Sequence, residues 1–280
     1  MINVFDKVKN VSYFDSIDEY INYLETETSY DADRDDSSIT GSESFTGTRS
    51  FAEAIDLCKY GDETLRSKIY EQTLKFDDID TVNKIKNSTV NDVVGFMPNV
   101  PNYIIGVPTN MIRDNRTTIK SKIVNIYVNL SASAHVSADK IKTNASKYVA
   151  AINKLEEEGY RCNIYCGNMA RKYNNCKYGV IVKIKSDKEP MNLAKMAFPL
   201  CHPSMLRRLS FKWIETIPID FTHTGYGTPI DEDDEVTEIL SYIFNDTKIT
   251  VLSISENNGD VKDVINILKK KGMVTNEGIA

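Results

Sequence analysis

A cluster of basic and aromatic residues between positions 171 and 188 has the residue types that point most directly to chemistry. It begins with Arg171, Lys172 and Tyr173 and continues with Lys177 and Tyr178. Spaced cations follow a phosphate backbone and tyrosine rings stack on bases, so this pattern is typical of single-stranded nucleic-acid binding. The alternative is a solvated β-hairpin whose charges balance acidic loops of the same chain. The sequence favours the solvated hairpin and leaves nucleic-acid binding as a second hypothesis.

Another basic feature is the adjacent pair Arg207 and Arg208. Guanidinium groups bind carboxylates and phosphates through two parallel hydrogen bonds, so we assign this pair to a surface that binds a partner or a nucleic acid. His223 lies in the glycine-containing loop 222–228 and is assigned to the same surface. The simpler alternative is that both arginines form ion pairs with the acidic residues 231–235.

Histidines are the usual candidates for a catalytic base near neutral pH, and the chain has three, His135, His202 and His223. His135 lies two residues after Ser133, but only Asp139 is spaced to orient it. This arrangement does not make a serine–histidine–acid triad. We therefore predict no catalytic residues, and an enzyme is the less favoured class.

Five unevenly spaced cysteines argue against a disulfide framework. Cys162 and Cys166 fall on one face of a predicted strand, whereas zinc sites use pairs of cysteines two to four residues apart in a turn. Buried strands readily accommodate small cysteine side chains. These residues are therefore interpreted as core, and no zinc is predicted.

Composition excludes several other classes of function. The 280 residues are 41% hydrophobic and 26% charged, which is typical of a soluble globular protein. No apolar run reaches the roughly 18 residues of a membrane span, and no signal-peptide pattern opens the chain. The net charge of −6 argues against indiscriminate binding to nucleic acid or to anionic membranes. We expect a cytoplasmic protein with no membrane partner.

Hydrophobic periodicity predicts the elements that must position these residues. The apolar run 123–128 indicates a strand, residues from 138 onwards form one amphipathic helix, and residues 161–166 form the next strand. Further strands are expected near 180–185 and 249–253, with helices between them. Alternating strands and helices predict an α/β fold with a mostly parallel sheet flanked by helices, preceded by an N-terminal helical region.

The predicted domain boundary lies near residue 118. Residues 1–118 are expected to be mainly helical, with an acidic linker at 30–44, and residues 119–280 to form the α/β domain. Ser16 with Glu19, and Ser50 with Glu53, have the spacing of helix capping boxes. One short strand is predicted at 103–107, and a helix at 205–213, where a strand beginning at Ser210 is the alternative.

The strand at 123–128 ends in Asn129-Leu130-Ser131-Ala132-Ser133 and is followed by a polar turn and a long helix. This resembles the opening of a von Willebrand factor A domain, the integrin I-type family, in which an apolar strand ends in Asp-x-Ser-x-Ser. The resemblance covers about residues 120–272. The chain as a whole also resembles proteins of phages and prophages that carry no assigned activity.

In that family the motif holds a divalent cation at the C-terminal edge of the sheet, so the resemblance implies Asn129, Ser131 and Ser133 as the corresponding positions. Asn129 replaces the aspartate and removes the anionic oxygen that a hard cation prefers. The resemblance thus implies a degenerate domain, with magnesium as the possible ion. Glu215 and Asp220 are the candidates for the family's later ligands.

Three hypotheses follow from the sequence. The first is a non-enzymatic, phage-encoded module in the host cytoplasm that binds a protein partner at the C-terminal edge of its sheet, near Ser131, Ser133 and the loop 222–228. The second is nucleic-acid binding through the hairpin 171–188. The third is a metal-dependent hydrolase that uses the Asn129–Ser133 loop.

Overall fold

The computed structural model describes most of the chain. The described ranges are 2–4, 10–29, 41–77, 89–114, 123–157, 159–172, 176–219, 225–230, 233–244, 248–254 and residue 270. Most of the predicted linker at 30–44 lies outside these ranges. The same is true of nearly all of residues 260–271, for which hydrophobic periodicity predicts a terminal helix. None of the helices in them is long and apolar enough to cross a membrane.

From residue 123 onwards the strands and helices of the described chain alternate, as expected for an α/β protein, whereas the described elements between residues 17 and 77 are all helices. The strands are β1 (Ile2–Val4), β2 (Val11–Phe14), β3 (Thr89–Asp92), β4 (Met97–Pro98), β5 (Met111–Asp114), β6 (Ile123–Asn129), β7 (Arg161–Arg171), β8 (Lys177–Lys185), β9 (Thr228–Pro229) and β10 (Ile249–Ser253). The helices are α1 (Ile17–Thr26), α2 (Glu43–Thr46), α3 (Phe51–Tyr60), α4 (Glu63–Asp77), α5 (Val100–Ile104), α6 (Ala138–Glu157), α7 (Leu193–Cys201), a π-helix (Met205–Ser210), α8 (Phe211–Thr216) and α9 (Asp233–Phe244).

One large sheet, mostly parallel and flanked by helices, organises the molecule, which confirms the predicted fold class. Its strand order is β1-β2-β8-β7-β6-β10, and β9 pairs with β7. Strand β6 pairs in parallel with β7 on one side and with β10 on the other, whereas β7 and β8 form an antiparallel hairpin. The carboxyl ends of β6 and β7 therefore meet at one edge of the sheet.

The two faces of the sheet are covered unequally. One face carries the larger core, which includes Trp213, Phe198 and Tyr148 from the surrounding helices. The other carries a smaller cluster around Val236 and Leu240 of α9. Helix α6 packs on the larger side because its apolar residues recur at helical spacing and are buried there.

Local helix signals in the N-terminal region are confirmed. The Ser16 hydroxyl accepts a hydrogen bond from the Glu19 amide at 3.1 Å, and the Ser50 hydroxyl accepts one from the Glu53 amide at 3.0 Å. Each serine satisfies a backbone donor that the first turn of a helix leaves without an intrahelical acceptor.

The N-terminal region also contributes a strand that the sequence did not predict. Strand β2 pairs in parallel with β8 and adds Phe14 to the larger core. The boundary at residue 118 stays a prediction, although strands from both sides of it pair in one sheet.

The predicted strand at 103–107 is wrong. Residues 100–104 form helix α5, because the Asn99 side chain caps it by accepting from the Asn102 amide at 3.3 Å and Pro101 suits the first turn. Around it, β3, β5 and β4 form a separate three-stranded sheet.

The segment 205–216 is helical, so the alternative of a strand beginning at Ser210 is wrong. Its first six residues form a π-helix, and the Ser204 side chain makes no capping bond to it. The Ser204 hydroxyl instead donates to the Thr46 carbonyl oxygen at 2.6 Å. The π-helix matters for the site because it carries both Arg207 and Arg208.

Candidate functional site

A cavity of about 530 Å³ opens at the carboxyl ends of β6 and β7. Its floor is the loop 131–134 together with residues 168–170 of β7. Its walls come from helix α2, the π-helix and the loop before β9. This is the edge of the sheet at which the sequence predicted partner binding, and open α/β sheets generally bind ligands there.

The Asn129–Ser133 loop is held in place by hydrogen bonds within the protein. Asn129 Nδ2 donates to the Ile230 carbonyl oxygen at 2.8 Å, and Asn129 Oδ1 accepts from the Ser131 amide at 3.2 Å. The Ser131 hydroxyl lies 2.8 Å from both the amide and the carbonyl oxygen of Met169. Asn129 and Ser131 are both buried, and Ser131 also lines the cavity.

These contacts bear on the predicted cation site. Ser133 is exposed, and Glu215 accepts a hydrogen bond from the Tyr226 hydroxyl at 2.6 Å. Asp220 lies outside the described residues. Within the described ranges, no group of three or more histidine, cysteine or acidic side chains is placed to hold a metal ion. Magnesium at the loop stays a prediction from the resemblance.

Arg207 is buried in the wall of the cavity, with 2% of the residue exposed. Its guanidinium donates to the Phe45 carbonyl oxygen at 2.8 Å, to that of Ser133 at 3.4 Å and to that of Val136, and it lies over the Phe45 ring at 4.1 Å. Burial lowers the pKa of this group. Arg207 forms no ion pair with a described carboxylate, so these contacts do not neutralise its charge.

Arg208 points to a different set of acceptors. It donates to the Thr48 hydroxyl at 2.7 Å, and to the carbonyl oxygens of Thr48 and Gly41 at 2.8 Å each. The two arginines thus fasten the segment 41–48 over the cavity from one side. The ion pairs with residues 231–235 stay a prediction, because residues 231 and 232 lie outside the described chain.

Asn168 is an unusual polar residue in the cavity. It lies in β7, is 3% exposed and contributes to the cavity lining. Its Oδ1 atom is buried without a hydrogen-bond partner in the described chain. A buried carbonyl without a hydrogen-bond partner costs about 1–3 kcal/mol.

The loop before β9 closes one side of the cavity. The Tyr226 ring stacks on Phe211 with ring centroids 4.0 Å apart. The Tyr178 hydroxyl donates to the Tyr226 carbonyl oxygen at 2.7 Å. Gly227 adopts a φ of +77°, which favours glycine. Tyr178 is fully buried, so its ring does not lie open to a base as the nucleic-acid hypothesis requires.

The basic hairpin carries its own counter-ion. Glu235 of α9 accepts from Arg171 at 2.7 Å and from Lys177 at 2.8 Å. Lys172 is partly buried, and Tyr173 lies outside the described residues, as does His223. The structure brings Arg207 to the cavity with Ser131 and Ser133, and places Arg171 and Lys177 in an ion-pair cluster. Nucleic-acid binding stays a prediction.

The remaining candidates for chemistry have structural roles. His202 is buried, its Nδ1 accepts from the Ser204 amide at 3.1 Å, and burial lowers its pKa to about 3. Cys162 and Cys166 lie in the core, and burial raises the pKa of both thiols. The interpretation of these cysteines as core residues is confirmed.

The fold and the site define an α/β-sheet protein with a cavity at the carboxyl ends of two parallel strands. The chain belongs to the family described as domain of unknown function (DUF7192), whose model matches residues 6–275. No curated protein and no solved structure matches the chain.

Sequence reasoning missed three residues of the cavity, Phe45, Asn168 and Tyr226. Asn168 had a usable signal, because asparagine is depleted in strands and here follows a buried apolar run. Phe45 and Tyr226 reach the cavity only through long-range packing, which residue spacing does not reveal.

Proposed function

We propose that this protein is a non-enzymatic interaction module that binds a protein partner in the cavity at the carboxyl edge of its sheet. The observation that carries the proposal is Arg207. It is a buried cation whose partners in the described chain are carbonyl oxygens and one aromatic ring. Buried charges are normally paired, and a ligand with a negative group supplies the missing partner.

Two polar side chains around the cavity favour binding over catalysis, because they are already hydrogen-bonded within the protein. The Ser131 hydroxyl is engaged by both backbone groups of Met169, and the Glu215 carboxylate accepts from Tyr226. A nucleophile needs a base within hydrogen-bond reach. Among the described lining residues no such pair is present.

A second surface supports a protein as the partner. The three-stranded sheet and helix α5 expose large apolar side chains that are between 48% and 75% accessible. They are Val93, Val94, Phe96, Met97, Val100, Tyr103, Ile104 and Ile105. Contiguous apolar surface of this kind is typical of protein contact sites. The described charges of this region include an ion pair between Asp92 and Arg113 at 2.9 Å.

The resemblance to von Willebrand factor A domains belongs to the same proposal. The succession of β6, α6 and the β7–β8 hairpin supports this part of the proposal. A phage origin and a location in the host cytoplasm complete the proposal.

Site-specific photo-crosslinking in the cells that naturally express the chain tests the proposal. A benzophenone amino acid at Thr228, an exposed residue of the cavity rim, should yield one discrete crosslinked protein. The same group at Thr64, an exposed residue of α4, is the control and should not.

A filled cavity provides the matched comparison. Ala134→Trp at the exposed rim should abolish the Thr228 product, whereas Ala52→Trp on α3 should leave it unchanged. The absence of a product at Thr228, or equal products at Thr228 and Thr64, would show that this edge is not the binding surface.

A further inference from the structure

The cavity offers a place for one negative charge. A guanidinium has five N–H groups, and the three carbonyl contacts of Arg207 leave Nε–H and one Nη1–H without an acceptor in the described chain. Arg207 is also the only arginine, lysine or acidic residue among the described lining residues. A single anionic group is therefore matched by a single cation.

The cavity also offers an acceptor for one N–H donor. The residue Asn168 belongs to the same lining as Arg207, and its Oδ1 atom is buried without a hydrogen-bond partner in the described chain. A backbone amide of a ligand satisfies such an atom and recovers the roughly 1–3 kcal/mol lost by leaving it without a partner.

The remaining walls are apolar. Phe45, Met169, Leu206, Phe211 and Pro229 surround the space. At about 530 Å³ the cavity lies within the roughly 300–1,000 Å³ of small-ligand sites. Burial of an aliphatic or aromatic side chain there contributes about 1.5–3 kcal/mol.

We infer that the cavity captures the free C-terminal residue of the partner protein, with the terminal carboxylate at Arg207, its amide N–H at Asn168 and its apolar side chain against the apolar walls. This inference rests on the proposed function and names the part of the partner that enters the site. A C-terminal residue carries all three groups on one Cα. An internal aspartate or glutamate supplies the anion and the amide but leaves the apolar walls unfilled.

The test uses the smallest mimics of these alternatives with the full chain. N-acetyl-L-phenylalanine has the free carboxylate, the amide and the apolar side chain. N-acetyl-L-phenylalaninamide lacks only the charge, and N-acetyl-L-aspartate α-amide carries the charge on its side chain. Binding is followed by NMR, with the backbone amides of Gly41 and Gly227 and the side-chain amide of Asn168 as reporters.

The free acid should bind in the millimolar range and at least about tenfold more tightly than the amide, which is a loss of about 1.4 kcal/mol. The aspartate derivative should bind more weakly than the free acid. Equal affinities for acid and amide, tighter binding of the aspartate derivative, or no shift at any reporter would overturn the inference.

Two variants localise the effect. Asn168→Asp is nearly isosteric and places a like charge in the cavity, so it should reduce binding of the free acid at least tenfold. Arg207→Gln should remove the preference for the acid, provided that NMR shows a folded chain. Arg49→Gln, at an arginine whose side chain is 80% exposed, is the control and should change nothing.

The two proposals fail separately. A Thr228 crosslink without a preference for the free carboxylate would support the proposed interaction module and contradict the capture of a C-terminal residue. Carboxylate-dependent binding of the mimic without any Thr228 crosslink would support the roles of Arg207 and Asn168 in binding a carboxylate. It would contradict the proposal that the ligand is a protein.

Discussion

Lys185 on β8 and Glu156 on α6 form an ion pair at 2.6 Å, with side chains that are 1% and 6% exposed. The Lys185 ammonium also donates to the carbonyl oxygens of Cys162 and Ser186, and Glu156 accepts from the Cys162 amide. The pair fastens the long helix to the hairpin. It also removes Lys185 from the basic surface that the sequence suggested for nucleic-acid binding.

Replacing Glu156 with glutamine should lower the free energy of unfolding by about 3–5 kcal/mol, because the buried ammonium loses its counter-ion. Urea denaturation measures the change. Glu157→Gln is the neighbouring control: its ion pair with Lys154 is 3.5 Å long and more exposed, so the loss should stay below about 1 kcal/mol. Equal losses would mean that burial of the Glu156 pair does not govern its contribution.

A buried polar network fixes the segment that covers the cavity. The Thr48 and Ser204 hydroxyls lie 2.8 Å apart, and Arg208 Nε donates to Thr48. Thr48→Val keeps the shape but removes this acceptor, so it should lower the free energy of unfolding by about 1–3 kcal/mol. Thr64→Val at an exposed position of α4 is the control and should change stability by less than about 0.5 kcal/mol. A Thr48→Val protein as stable as wild type would contradict a structural role for the network.

The parts of the fold that follow from local patterns could be predicted from the sequence. The Ser16 and Ser50 caps depend on residues three positions apart, and the buried stripe of α6 depends on helical periodicity. The apolar run of β6 likewise indicated a strand, as the structure shows. These signals are contained within single elements.

The cavity could be predicted in position but not in detail. The sequence pointed to the carboxyl edge of the sheet near Ser131 and Ser133, but it did not place Arg207 beside them. One acceptor of Arg207, the Phe45 carbonyl oxygen, is 162 positions away in sequence. No local pattern reports such a contact, and the same holds for the pairing of β2 with β8.

Two glycines near the cavity provide a test of how tightly the Tyr226 loop is held. A Cβ on Gly227 would lie 2.0 Å from the Tyr178 hydroxyl, whereas one on Gly225 meets nothing within 4 Å. Both have positive φ, so each alanine substitution costs about 1–2 kcal/mol of backbone strain. Gly227→Ala should lose a further 1–3 kcal/mol or so from overpacking, measured by urea denaturation. Similar losses for the two variants would show that the Tyr178 side chain can shift to make room for the added methyl group without a loss of stability.

The buried His202 predicts how stability depends on pH. Burial, together with the charge of Lys142, lowers its pKa to about 3, against about 6.5 in the unfolded chain. Between these values the unfolded state binds the additional proton. The free energy of unfolding should therefore be fully maintained above about pH 6.5 and fall below it by up to about 1.4 kcal/mol per pH unit.

The variant His202→Asn isolates this contribution. Its side-chain oxygen can replace the Nδ1 acceptor for the Ser204 amide, which lies 3.1 Å from Nδ1 in the wild type, but it does not titrate in this range. Urea denaturation from about pH 7 to 4 should show a shallower fall in stability for the variant than for the wild type. All other titrating groups are common to the two proteins, so the difference between the slopes belongs to His202. Identical slopes would mean that the histidine accepts its proton in the folded state at an ordinary pH, and that its burial carries no electrostatic cost.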